Sequence, residues 1–108
     1  MRGEIMVTYE GNGTEIVFIC GSITGVEDYR EKFDSAQKHL EALGYIVLNP
    51  ALLPEGMPHD YYMPITCAMI DASKKVFLLP GYENSIGCAK EIDYAVLSGK
   101  EVKIYIPL

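Results

Sequence analysis

The chain has 108 residues, 49% of them hydrophobic and 22% charged, which suits one globular domain and leaves too few residues for a second buried core. Its formal net charge of -6 argues against the clustered Lys and Arg that polymeric nucleic acid or an anionic membrane would require as partner. Three cysteines, Cys20, Cys67 and Cys88, are odd in number and lack CxxC spacing, so they suggest neither a disulfide framework nor a zinc site and fit a reducing, cytoplasmic setting.

The N-terminal MRGEIMVTYEGNG lacks the apolar core of a signal peptide, and no apolar run approaches the roughly 18 residues of a membrane span, so a soluble protein is expected. EIMVTYE and TEIVFIC read as strands joined through GNG, whose glycines permit a tight hairpin. The first is an edge strand or a tail. The second carries the continuous run Ile16 to Cys20, as in a strand covered on both faces of a parallel sheet.

From Val26 to Leu43 the spacing predicts an amphipathic helix: Tyr29, Phe33, Ala36, Leu40 and Leu43 recur at steps of four and three, with acids in the first turn and Gly44 after the end. YIVLNP reads as a second buried strand, and ALLPEGMPHD as a loop. In YYMPITCAMIDAS the residues Tyr62, Ile65, Met69 and Ala72 stand at helical spacing, with Pro64 tolerable in a first turn. KVFLLP is a third buried strand, IGCAKEIDYAVLSG a helix with the apolar stripe Ala89, Ile92 and Val96, and KEVKIYIPL a closing strand.

This alternation predicts an α/β fold: a Rossmann-like three-layer α/β/α sandwich with a mainly parallel sheet of four to five strands, forming one domain over residues 1–108. Ligands of such sheets lie beyond the C-terminal strand ends, which selects CGSITG, NPALLPEG and LPGYENSIG as site loops.

Gly21 and Gly25 allow a ligand close to the backbone, and Ser22 and Thr24 supply hydroxyls; a capped strand-to-helix turn explains the same residues. Neither a Walker pattern nor GxGxxG is present. Asn84 and Ser85 suit the N-cap of the third helix, and Gly87 leaves its first turn open to an anion. Glu91 follows one turn later, on the side away from the Ala89, Ile92 and Val96 stripe, where its carboxylate can face the cleft as a nucleophile or stand solvated.

FICGSITG and NSIGCAKEIDYAVLSGKEV together resemble the nucleoside 2-deoxyribosyltransferase-like superfamily, which includes the 2'-deoxynucleoside 5'-monophosphate N-glycosidases. The likeness runs from about Ile16 to Val102 and is closer still to a small branch found in phages and prophages. It implies a nucleotide or nucleoside lying across the strand ends, bound by Gly21, Ser22, Ile23 and Gly25 on the sugar and base side. Ser85 and Gly87 take the 5'-phosphate or 5'-hydroxyl, and Glu91 attacks the anomeric carbon. Asp71 is the nearest substitute for the family's second carboxylate, with Asp60 and Asp93 as further candidates. Asn84 joins the binding set, Tyr82 can stack on a base, and His59 can act as an acid or base near neutral pH.

The transferases of the superfamily borrow a C-terminal tail from a neighbouring subunit, and the ending IYIPL shows none, so hydrolysis is expected ahead of base exchange. The alternative is a protein that binds a nucleotide without turnover, as a sequestering or sensing module. No cofactor and no metal are expected; a homodimer is.

Overall fold

The computed structural model describes residues 14–107, so the expected EIMVTYE strand and its GNG hairpin lie outside the described residues. Four strands, β1 (Ile16–Cys20), β2 (Ile46–Leu48), β3 (Lys75–Leu78) and β4 (Glu101–Ile104), alternate with three α-helices, α1 (Tyr29–Ala42), α2 (His59–Asp71) and α3 (Ile86–Leu97). Among the described residues every strand pair is parallel, and the order across the sheet is β2-β1-β3-β4.

Side chains of a strand alternate between faces, and the two central strands use both. Val17, Ile19 and Phe77 pack with Phe33, Ala36 and Leu40 of α1, while Phe18, Cys20, Val76 and Leu78 pack with Ile70 of α2 and with Cys88 and Ala95 of α3. The sheet is therefore sandwiched between α1 and the α2/α3 pair, the three-layer arrangement expected from the sequence. Phe18, Phe33 and Ile19 are fully buried; each such side chain contributes about 1.5–3 kcal/mol through removal from water.

The α1 stripe packs as the spacing predicts, although the helix begins three residues later, at Tyr29. Gly44 stops it at φ 100°, and the Tyr45 N–H then bonds the Leu40 carbonyl. β2 differs from its expected burial: it stands last in the sheet among the described residues, and Ile46 is 43% exposed.

In α2, Pro64 sits in the second turn rather than the first. Its ring lies on the exposed side of the helix, as does Asp60, whose carbonyl loses its partner there and can turn to water. The buried face of α2 centres on Thr66 and Ile70, not on Ile65 and Ala72, which are exposed. In α3 the core face is Cys88, Ile92 and Ala95, while Ala89 and Val96 of the expected stripe are exposed.

Lys75, at the start of β3, is 5% exposed. Its ammonium lies 3.1 Å from the Glu15 carboxylate, 3.7 Å from that of Glu101 and over the Tyr45 ring. A buried charge needs such partners, and they clamp the N-terminal ends of three strands together. The opposite, C-terminal ends carry the open loops. Among the described residues, no helix is long and apolar enough to cross a membrane.

Candidate active site

The chain leaves β1 toward β2 on one side and later returns through β3 on the other, so the loops after β1 and β3 part at the C-terminal edge. A cleft of about 760 Å³ opens there. Gly21, Ser22, Ile23 and Thr24 form one wall, Pro50, Ala51 and residues 53–57 after β2 another, and His59, Asp60, Tyr62 and Thr66 of α2 a third. Asn84, Ser85, Gly87, Cys88 and Glu91 close it from α3.

Ten of the residues singled out in the sequence thus share the cleft: Gly21, Ser22, Ile23, Thr24, His59, Asp60, Asn84, Ser85, Gly87 and Glu91. Four do not line it. Gly25 holds a turn at φ 80°, a conformation that glycine adopts without a side-chain penalty. Tyr82 packs against the core beneath α2 and α3. Asp71 ends α2, about 18 Å along the helix from His59, and there accepts the Tyr94 hydroxyl at 2.7 Å and 2.9 Å. Asp93 is exposed on α3.

The glycines differ in why they are glycine. A Cβ on Gly21 would stand 2.9 Å from Phe33 Cζ and 3.2 Å from Leu79 Cβ, so core packing alone demands the bare backbone. A Cβ on Gly87 would meet only Ser85 Oγ at 3.6 Å, an ordinary contact. Gly87 therefore costs α3 helix propensity without a packing or backbone reason among the described residues.

Ser85 caps α3: its Oγ accepts the Cys88 N–H at 3.1 Å. The first N–H groups of a helix have no intrahelical acceptor, and with Cys88 capped those of Ile86 and Gly87 are left at the cleft mouth. They give it positive potential from the helix dipole.

Glu91 lies in the second turn of α3, on the face that carries Cys88 and Ala95, and points inward from the helix. It reaches the cleft because of that inward face, not by standing opposite an apolar stripe. The Cys20 thiol, at the end of β1, donates to Glu91 Oε1 over 3.2 Å. Burial pushes the Glu91 carboxyl above the usual range, and the Cys20 thiol and the Thr66 hydroxyl oppose that shift by bonding the charged form. The Cys20 thiol is itself held protonated by its contact with Cys88, by burial and by the Glu91 charge.

Cys20, Cys88 and Thr66 were not foreseen as site residues. The one available signal was the i, i+3 spacing of Cys88 and Glu91, which places them on one helix face. At the rim, Tyr29 donates to Glu55 at 2.7 Å, and Arg30 bonds the Tyr29 oxygen at 2.9 Å. A desolvated carboxylate, a helix N-terminus and a wall of bare backbone can hold an anionic ligand and attack or stabilise an electron-poor carbon beside it.

Residues 15–104 match the protein family described as Domain of unknown function (DUF4406). Among solved structures, the chain is similar to a 2-desoxiribosyltransferase from Leishmania mexicana, with 16% identity and a TM-score of 0.68. The alignment covers 84% of this chain and 63% of that one, so the chain spans less than two thirds of that protein's length. The likeness shows a shared fold, the one expected from the resemblance in the sequence. No curated protein matches the chain.

Proposed function

The chain belongs to the DUF4406 family, and on that premise we propose that it hydrolyses the N-glycosidic bond of a deoxynucleoside or nucleoside 5'-monophosphate, or a related nucleotide. The observation that carries this reading is the placement of Glu91: a partly buried carboxylate in the wall of a cleft whose mouth is the open N-terminus of the same helix. The phosphate lies against the N–H groups of Ile86 and Gly87 and the Ser85 hydroxyl, and the sugar and base extend along Gly21, Ser22 and Ile23, with Asn84 at the rim. Glu91 Oε attacks the anomeric carbon as the bond to the base nitrogen breaks, and the base leaves with a proton. Water then cleaves the glycosyl ester, returning the carboxylate and releasing the sugar phosphate.

The proton donor in this reading is Asp60 or His59, which share the cleft, in place of Asp71, which is held by Tyr94. Neither a metal nor an organic cofactor enters the steps. The rest of the reading is a single-domain, cytoplasmic protein of phage or prophage type. It is a homodimer, supported by the exposed Tyr61 and Ile65, one turn apart beside the cleft.

A second reading, nucleotide binding without turnover, is favoured by one observation, the distance of Asp71 from the cleft. The experiment that separates the two is incubation with a panel of nucleosides and 5'-monophosphates, following free base by chromatography and binding by thermal shift. Base release, with a glycosyl adduct on Glu91 in quenched samples, supports hydrolysis. Stabilisation by a nucleotide with no base released overturns it in favour of the binding module.

A further inference from the structure

Cys20 and Cys88 are far apart in sequence and lack any metal-binding spacing, yet the fold brings both sulfurs to the Glu91 carboxylate. The two thiols and a carboxylate oxygen all lie within 4.8 Å of one another, and the Cys20 Sγ to Glu91 Oε1 separation is 3.2 Å. Around a tetrahedral Zn²⁺, with bonds of about 2.3 Å to sulfur and about 2.0 Å to oxygen, sulfurs stand about 3.8 Å apart and sulfur and oxygen about 3.5 Å apart. The three donors are thus within roughly an ångström of that triangle as they stand.

We propose that Cys20, Cys88 and Glu91 form a three-donor site for a thiophilic divalent cation, with Zn²⁺ as the chemical type, whose fourth position faces the cleft.

The donor set matches the metal. Thiolate and carboxylate suit Zn²⁺ or Cd²⁺ and exclude Mg²⁺ and Ca²⁺, which require oxygen throughout. Binding releases a proton to solvent from each thiol as it becomes a thiolate, and Glu91 ligates as the carboxylate. Rigid elements hold the donors: Cys20 ends a central strand, and Cys88 and Glu91 stand at i and i+3 on α3. Cys20 and Cys88 are 0% and 1% exposed, which keeps competing water away, and Cys88 and Glu91 line the cleft, which gives an ion its entry.

The consequence for turnover rests on the hydrolytic reading above. A cation holding the Glu91 carboxylate draws off its negative charge and fixes it against the two sulfurs, which weakens it as a nucleophile, so an occupied site is a silenced one, and a chelator restores activity.

The binding itself is tested without turnover. Reduced protein is titrated with Co²⁺ and Cd²⁺, following the visible bands of tetrahedral Co²⁺ and the ultraviolet thiolate-to-Cd²⁺ band, and the Zn²⁺-loaded protein is measured by X-ray absorption. The expected result is one equivalent bound, with two sulfur neighbours at about 2.3 Å. Loss of a group outside the ligand shell costs about 10- to 100-fold in affinity, so Cys88→Ser weakens binding at least that much. Cys67→Ser leaves it unchanged. Absence of the thiolate band, an absorption shell of oxygen and nitrogen alone, or affinity lost with Cys67 instead overturns the proposal. Because absorption is read on the unmutated protein, a variant that fails to fold does not shield it. Metal bound with this signature and no base released at any metal level sinks the hydrolytic reading and leaves the site standing.

Discussion

The Cys20 thiol donates a hydrogen bond to the Glu91 carboxylate across 3.2 Å, tying the end of β1 to the second turn of α3. Replacing it by Ala leaves a partly buried carboxylate short of a donor, a loss of about 1–3 kcal/mol. Urea unfolding of Cys20→Ala checks this. In the Cys20→Ala and Glu91→Gln pair the two effects are expected not to add, because the groups touch.

Gly21 and Gly87 respond in opposite ways to the same methyl group. Gly21→Ala pushes into Phe33 and Leu79 and lowers stability by about 1–3 kcal/mol. Gly87→Ala raises it by about 0.5–1 kcal/mol, since helix propensity improves and the space is open. It is expected to weaken binding of 5'-monophosphates while leaving nucleosides little affected. Thermal unfolding and ligand titration of the two variants read both effects.

At the far end of the sheet, Lys75→Ala leaves the Glu15 carboxylate, 3.1 Å away, without its main counter-charge. Breaking a buried pair from one side costs about 3–5 kcal/mol, and chemical denaturation of this variant is expected to show a loss in that range. Lys75→Met, which keeps the apolar stem over the Tyr45 ring, loses less from packing.

Asp71→Asn keeps base release within about twofold of the unmutated protein, because the carboxylate faces Tyr94 outside the cleft. Surface changes of this kind alter stability by about 0.5 kcal/mol or less. Asp60→Asn, inside the cleft, is expected to lower turnover by about 100-fold or more if Asp60 supplies the leaving proton. Rates with equal substrate separate the two carboxylates.

The sheet and its order of elements were legible because the runs at Ile16 and Lys75 are apolar enough to require cover on both faces, and α1 carries a clean stripe. The faces of α2 and α3 were not. Both helices expose large apolar residues, Ile65, Ile86, Val96 and Leu97, so hydrophobicity does not mark their buried side. Beside Ile70 and Ile92, that side carries Thr66, Cys88 and Ala95, small or polar residues whose burial follows from what they meet on the sheet. Glu91 was picked out by its spacing from Gly87, but its inward direction and its bond to Cys20 depend on tertiary contact. Asp71 stood out only as the nearest substitute for the second carboxylate that the resemblance implies. Its partner, Tyr94, stands 23 residues away on another helix, beyond what local spacing reveals.

The most direct measurement is the rate of free-base release from 5'-monophosphates by the unmutated protein and by Glu91→Gln, with folding of both verified by circular dichroism. A carboxylate nucleophile lost to an amide of the same shape is expected to lower the rate by at least about a thousandfold while nucleotide binding persists. An undiminished rate in Glu91→Gln would contradict the central role of Glu91 in the cleft.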